Sequence, residues 1–311
     1  MAAADTAQRP PTKAAPLQLR AAYAVCRSIT RASAKNFYYG FLVLPSRKRD
    51  ALCAVYAFMR HADDISDTPG LSDGEKRMKL EALMESFHEV DSGKPTDDPV
   101  LLALSHARQR YKIPVHLLEK LVYGTMMDVE FAPSNAASSE PVVIYRTFEE
   151  LYQYCYHVAS VVGLVCIKIF GYQDPHAEKL AERCGIAFQL TNIIRDVKED
   201  AGMGRIYLPA QELQDYEISA AEIADGTAAE RIKPILKLEA DRARDFYKSG
   251  RELIDYIDDD SRAALWTLVE IYSRLLEKIA KLDYNVFGDK VRLTTGEKLK
   301  VLTKGFGRRL V

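Results

Sequence analysis

Strand signals are almost missing from this chain. No alternating apolar and polar run is bounded by Asn-Gly or Asp-Gly, and most segments between helix breakers repeat their apolar residues with the helical period. Neither charge is in excess: the formal net charge is -1, without the basic field that nucleic acid as a main partner would need. There is no CxxC. The five cysteines (Cys26, Cys53, Cys155, Cys166, Cys184) are scattered in apolar, helix-like surroundings, which reads as reduced, buried thiols of a cytoplasmic protein. Residues 1–17 hold Ala, Pro and Thr but no apolar core of a secretory signal, and are expected to be a disordered tail. The longest apolar run, Val158–Ile167, is interrupted by Ser160 and Gly163 and ended by Lys168, too short to span a bilayer. No nicotinamide-binding fingerprint is present.

What is present is a sequence of helices. Hydrophobic residues make up 48% of the chain, enough for a sizeable core. Helices are expected over Gln18–Lys35, Arg47–Asp67, Asp73–Val90, Val100–Tyr111, Pro114–Phe131, Phe148–Phe170, Pro175–Asp200, Ser219–Asp225, Ala228–Asp258 with a break near Pro234, and Ser261–Asn285. Ala132–Pro141 reads as a loop, Ala201–Arg205 as a mobile connection, and 301–311 as a basic, solvated tail. No linker marks a boundary, so residues 18–300 read as one all-α domain, a helical bundle around a central cavity.

Two of these helices end in an unusual way. Gln189, Asn192, Asp196 and Asp200 fall at i, i+3, i+7 and i+11, a single stripe about 16 Å long. Tyr56, Arg60, Asp63 and Asp67 form a second stripe, with Asp64 about 100° round the helix. An Asp-xxx-Asp pair by itself is usually a solvated helix end. Here both pairs close strongly apolar helices, where an unpaired carboxylate is costly, and both follow polar residues on the same face. Facing one another across a cavity, four to five carboxylates would converge and would need cations between them. Mg²⁺ suits such a place, because it takes a few carboxylates together with water and phosphate oxygens. A diphosphate clamped by Mg²⁺ and nearby Arg or Lys is the natural ligand.

The segments Tyr56–Asp67 and Gln189–Asp200 resemble the two aspartate motifs of the squalene/phytoene synthase family. Phe37–Pro45, Tyr154–Gly163, Gly204–Pro209, Tyr272 and Arg292 resemble further family positions, so the likeness covers roughly residues 20–300. It implies the all-α isoprenoid synthase fold and a head-to-head prenyl transferase. One allylic diphosphate ionises, and the double bond of the other attacks its C1 to give a cyclopropylcarbinyl diphosphate. Carried over, Asp63, Asp67, Asn192, Asp196 and Asp200 would hold several Mg²⁺ ions and diphosphate. Lys35, Arg60, Arg195 and Arg205 would contact diphosphate, Phe37 would belong to the substrate segment, and Tyr56, Gln189 and Tyr272 would line the reacting centre. Asn36 stands where many members carry Ser or Thr.

The expected reaction is condensation of two farnesyl diphosphates to presqualene diphosphate, with NADPH needed if it continues to squalene. Phytoene synthesis from two geranylgeranyl diphosphates is the alternative. A di-iron carboxylate bundle is more distant, since Glu85–His88 supplies one E-x-x-H and no second copy exists. A non-catalytic helical scaffold is a third reading. Prenyl diphosphates are the expected partners, nucleic acid is not, and the basic run Lys298–Arg309 allows a weak contact with a membrane surface.

Overall fold

The computed structural model describes residues 16–34, 37–130 and 141–309. Lys35 and Asn36, most of the 132–141 loop and residues 1–15 lie outside them. The expected helices form, and the architecture is all-α: α1 (Pro16–Ser33), α2 (Phe37–Leu42), α3 (Ser46–Ser66), α4 (Asp73–Asp91), α5 (Pro99–Tyr111), α6 (Val115–Glu130), α7 (Phe148–Cys155), α8 (Val161–Phe170), α9 (His176–Gly202), α10 (Ala210–Asp215), α11 (Ala220–Asp225), α12 (Lys233–Tyr256), α13 (Asp259–Lys281) and α14 (Thr295–Arg309).

Helix boundaries follow local chemistry. Ser72 and Glu75 close a capping box at the start of α4, and Asp98 accepts from Val100 N–H and Leu101 N–H at the start of α5. Pro234 does not break the long C-terminal helix but starts it, since its missing N–H is harmless in the first turn.

α9 is the axle of the bundle. It lies along α12 and also touches α7, α8, α11 and α13. Leu180, Ile186, Leu190, Ile193, Ile194 and Val197 are buried around its circumference, as expected of a helix enclosed on nearly all sides. Between α7 and α8 the chain widens into one π turn, Tyr156–Ser160. A Cβ on Gly185 would sit 2.5 Å from Ser160 Cα, and one on Gly163 would sit 3.0 Å from the Ala181 carbonyl oxygen. Absent side chains at both positions let the backbones of α9 and the α7–α8 run approach closely. That run, Phe148–Phe170, is long and apolar enough to cross a membrane by length and composition. Here it is the inner wall of the bundle, against α6 and α9.

Three stretches differ from the sequence reading. Ala201–Arg205 is not a loose connection: α9 continues to Gly202, Gly204 takes a positive φ of 84°, and Arg205–Ile206 pairs in parallel with Val142–Val143. Val142 N–H and Ile144 N–H donate to the Gly204 and Ile206 carbonyls, both at 3.0 Å. The expected tail at 301–311 begins inside α14, which buries Val301 and Leu302 and packs on α13; its Lys, Gly and Arg content masks the helical period. α2 was too short, at six residues, to show periodicity. All five cysteines are free thiols, four of them buried and Cys166 half-buried.

Gly185→Ala should lower stability by about 1–3 kcal/mol, since its Cβ meets backbone that cannot rotate away. Gly74, whose Cβ would meet nothing, is the control. Equal thermal melts for the two variants would show that α9 and the π turn are not in fixed contact.

Candidate active site

Both acidic motifs sit where α3 and α9 end. Asp63 is half-buried in the last turn of α3 and Asp67 is its C-cap; Asp196 and Asp200 are half-buried in the last turns of α9. Neither helix has a basic residue in its last turn, so these carboxylates lie at the negative end of each helix dipole without compensation. The ends are unfavourable for folding and favourable for holding cations.

The expected convergence of four or five carboxylates is not found. Among the described residues, no three of His, Cys, Asp and Glu come close enough to hold one ion. Each pair sits at the end of its own helix. Asp63 and Asp67 border one hollow with Ser66, Lys76, Thr125 and Arg205; Asp200 borders another with Arg205 and Tyr207. Arg205, positioned by the two-residue strand pair, therefore borders the hollows of both pairs.

Electrostatics divides the α9 pair. Burial pushes the Asp196 carboxyl up, but the hydrogen bonds and charges of Arg195 and Lys290 outweigh this and hold it below its ordinary value. Arg195 Nε donates to Asp196 Oδ1 at 2.8 Å, and Lys290 Nζ lies 3.0 Å from the same oxygen. Asp200 is starved by comparison. Burial, then the neighbouring charges of Asp196 and Glu199, push its carboxyl up to about 7. On α3, Arg60 ion-pairs with Asp64, and burial together with Asp63 raises the Tyr56 phenol. The donor set fits Mg²⁺: separate pairs of carboxylates one turn apart, one of them short of positive charge, suit an ion that completes its shell with water and phosphate oxygens.

An apolar cavity lies between α2, α3, α8, α9, α12 and α13. Tyr56, Gln189 and Asn192 stand at its polar end, Val162, Cys166 and Gly163 on its wall, and Phe170, Leu253 and Leu265 at its depth. From Asn192 back to Ala181 the wall on α9 runs roughly 16 Å. A second hollow shares Phe37, Tyr56 and Asn192 with this cavity and is basic, with Arg195, Lys290, Arg292 and Lys298 on its walls. Tyr272 is buried between the two, stacked on Phe188 at 4.5 Å between ring centres and tilted against Phe37 at 5.6 Å. Of the residues read from sequence, Tyr56, Gln189, Asn192, Arg195, Phe37 and Tyr272 thus meet at one junction. Asp63, Asp67, Asp200 and Arg205 line two further hollows, while Arg60 is turned to Asp64. Phe188 and Lys290 escaped the sequence reading: Phe188 looked like core, and Lys290 lies in a stretch with no helical period. The Lys290-Val-Arg292 doublet was the one signal.

A sequence model described as Squalene/phytoene synthase matches residues 30–297. The chain belongs to the squalene/phytoene synthase family. It is similar to a phytoene synthase of Mycobacterium bovis, 36% identical over 91% of this chain and 90% of that one. A 15-cis-phytoene synthase of Synechococcus elongatus is 34% identical over 90% and 91% of the two chains. Among solved structures, a dehydrosqualene synthase crystallised with a ligand superposes with a TM-score of 0.80 at 29% identity, covering 94% of this chain and 97% of that one. The family is one of prenyltransferases that join prenyl diphosphates head to head, so the di-iron and scaffold readings fall away. Glu85 and His88 are exposed on α4, where His88 lies 3.3 Å from Glu119 rather than in the bundle interior.

The Asp200 carboxyl gives a pH signature. Because the folded protein binds this proton more tightly than the unfolded chain, whose carboxyl has the ordinary value of 3.8, stability in chelator should fall as pH climbs from there to about 7. Asp200→Asn should lack that fall and should melt higher than wild type above pH 7. Identical pH profiles in urea titrations would remove the uncompensated charge from Asp200.

Proposed function

We propose that this family member condenses two geranylgeranyl diphosphates head to head to phytoene. The observation carrying the head-to-head reading is the junction itself: one apolar cavity that shares Phe37, Tyr56 and Asn192 with a basic hollow, with the α3 and α9 aspartates in further hollows at the ends of the helices that line it. Two amphipathic substrates need that layout, with tails in a common dry space and head groups at separate polar stations. The choice of tail rests on relatives named phytoene synthase, at 34–36% identity. A farnesyl-based product is the second reading, supported by the dehydrosqualene synthase of like fold.

In this mechanism Asp63, Asp67, Asn192, Asp196 and Asp200 would hold Mg²⁺. When bound, Mg²⁺ would neutralise the diphosphate and help its C1–O bond break. Arg205, which borders the hollows of Asp63–Asp67 and of Asp200, would contact a leaving diphosphate; Arg60 would take phosphate oxygens once drawn off Asp64, and Arg195 would reach them from beside Asp196. Gln189 and Tyr56 border the space in which C1 of one substrate meets the double bond of the other. The stacked Tyr272 and Phe188 rings, with Phe37 tilted against Tyr272, would stabilise positive charge on carbon without capturing it as water would. Closing the cyclopropane ring releases one proton, and the resulting cyclopropylcarbinyl diphosphate then loses its own diphosphate. Its rearranged cation loses a proton to give phytoene; reduction by NADPH would instead belong to the squalene reading. The outward face of α14, with Leu299, Phe306, Lys300 and Lys304 exposed, supports a weak contact with a membrane surface, an apolar destination for the hydrocarbon.

Incubation with each prenyl diphosphate and Mg²⁺, with and without NADPH, tests the reading by product identification. Phytoene from geranylgeranyl diphosphate, unchanged by NADPH, is the expected result. Dehydrosqualene or squalene from farnesyl diphosphate would establish the second reading, and no condensed product from either would overturn both. Asp63→Asn and Asp196→Asn should each cost at least ~10²-fold in turnover at unchanged circular dichroism. Arg60→Ala should raise KM or lower kcat; normal kinetics would take it out of the site.

A further inference from the structure

Asp196 already carries two cations. Arg195 forks across its oxygens from the adjacent position on α9, and Lys290 reaches it at 3.0 Å from the connection between α13 and α14. Lys290 also pairs with Glu199, and Lys198 donates to the Phe287 carbonyl at 2.6 Å. The connection is thus tied to the end of α9 from both sides. Asp200, one turn on, makes no ion pair among the described residues.

A divalent ion that uses both aspartates must therefore displace a cation from Asp196. The two candidates are unequal. The guanidinium of Arg195 is a planar fork already matched to the carboxylate, whereas an ammonium is a point charge on a flexible stem with rotatable donors. Lys290 is the easier to move. It also has somewhere to go, for it borders the basic hollow beside Arg292 and Lys298, which opens on Asn192 and Tyr56.

We propose that Lys290 is a tethered place-holder for the metal: it neutralises Asp196 until a divalent ion arrives, then leaves for the hollow, where it takes phosphate oxygens. The proposal rests on the diphosphate reading above. It makes the α13–α14 connection responsive to loading, because losing the Asp196 pair removes one of the ties that hold it to α9. It also makes metal and diphosphate binding interdependent, since the charge the metal expels is the charge the diphosphate attracts.

The test uses the full chain, with Mn²⁺ alone and then with Mn²⁺ and inorganic diphosphate. In calorimetry, Lys290→Met should bind Mn²⁺ alone several-fold more tightly than wild type and diphosphate with Mn²⁺ several-fold more weakly. Lys290→Arg should stay closer to wild type in both. In wild type, labelling of the Lys290 amine by an acylating reagent, read by mass spectrometry, should rise several-fold when Mn²⁺ alone is added. A lysine that merely staples the connection would weaken both affinities together when removed, and that outcome overturns the proposal. So does unchanged labelling at Lys290 while Mn²⁺ binds, or the absence of any Mn²⁺ binding that Asp196→Asn abolishes. Failure of the condensation reading is separate, because it is read from hydrocarbon product and not from metal affinity or amine reactivity.

Discussion

The constraint on which the rest depends is negative charge at two helix ends. α3 and α9 both terminate in aspartates, against the sense of their dipoles and without a basic residue in either last turn. A helix end chosen for stability would carry Lys or Arg there. The surrounding structure is what accommodates the misplacement: Arg60 folded onto Asp64, Arg195 and Lys290 onto Asp196, and Asp200 left with a raised affinity for a proton. Each of these is an internal answer to that charge.

Holding those ends open requires that the helices behind them be rigid. α9 is locked by close backbone approach, through Gly185 against the π turn and Gly163 against the Ala181 carbonyl. The same small residues leave space beside them, so the cavity wall at Val158–Gly163 results from how α9 is fixed rather than being an added feature. Close packing on one side of α9 and a void on the other come from one pattern of missing side chains. The π turn belongs to this arrangement, because an extra residue per turn shifts Ala159 and Val158 toward the cavity while Ser160 Oγ donates to the Glu182 carbonyl at 2.7 Å.

Helical class and the boundaries of the long helices were legible in the sequence, because a buried face repeats at the helical period and Pro, Gly and capping residues punctuate it. The two aspartate stripes were legible for the same reason: their spacing is a statement about one helix face. What lay between elements was not. That Arg205 would border the hollows of both Asp63–Asp67 and Asp200 depends on where α3 and α9 end relative to one another, which no local pattern encodes. The two-residue strand pair that fixes Arg205 is too short to leave an alternation. α14 was read as a solvated tail because composition outweighed its weak period, although Val301 and Leu302 mark its buried side. Lys290 gains meaning only from Asp196, its partner in space and not in sequence.

The separation of charge from apolar space also bears on chemistry. On the proposed reading, a carbocation formed at the junction of Tyr56, Gln189 and Asn192 would lie between the departing diphosphate and the Tyr272–Phe188 stack. The diphosphate would offer electrostatic relief, and the ring faces would offer diffuse negative charge in place of water that would quench the cation. Tyr272 is the residue on which this balance turns. It is buried, its ring is committed to stacking, and it stands between the apolar cavity and the basic hollow. An enzyme that must ionise two diphosphates in succession without losing its intermediate needs a partition of that kind: aromatic toward the carbon skeleton, and beside cations toward the phosphates.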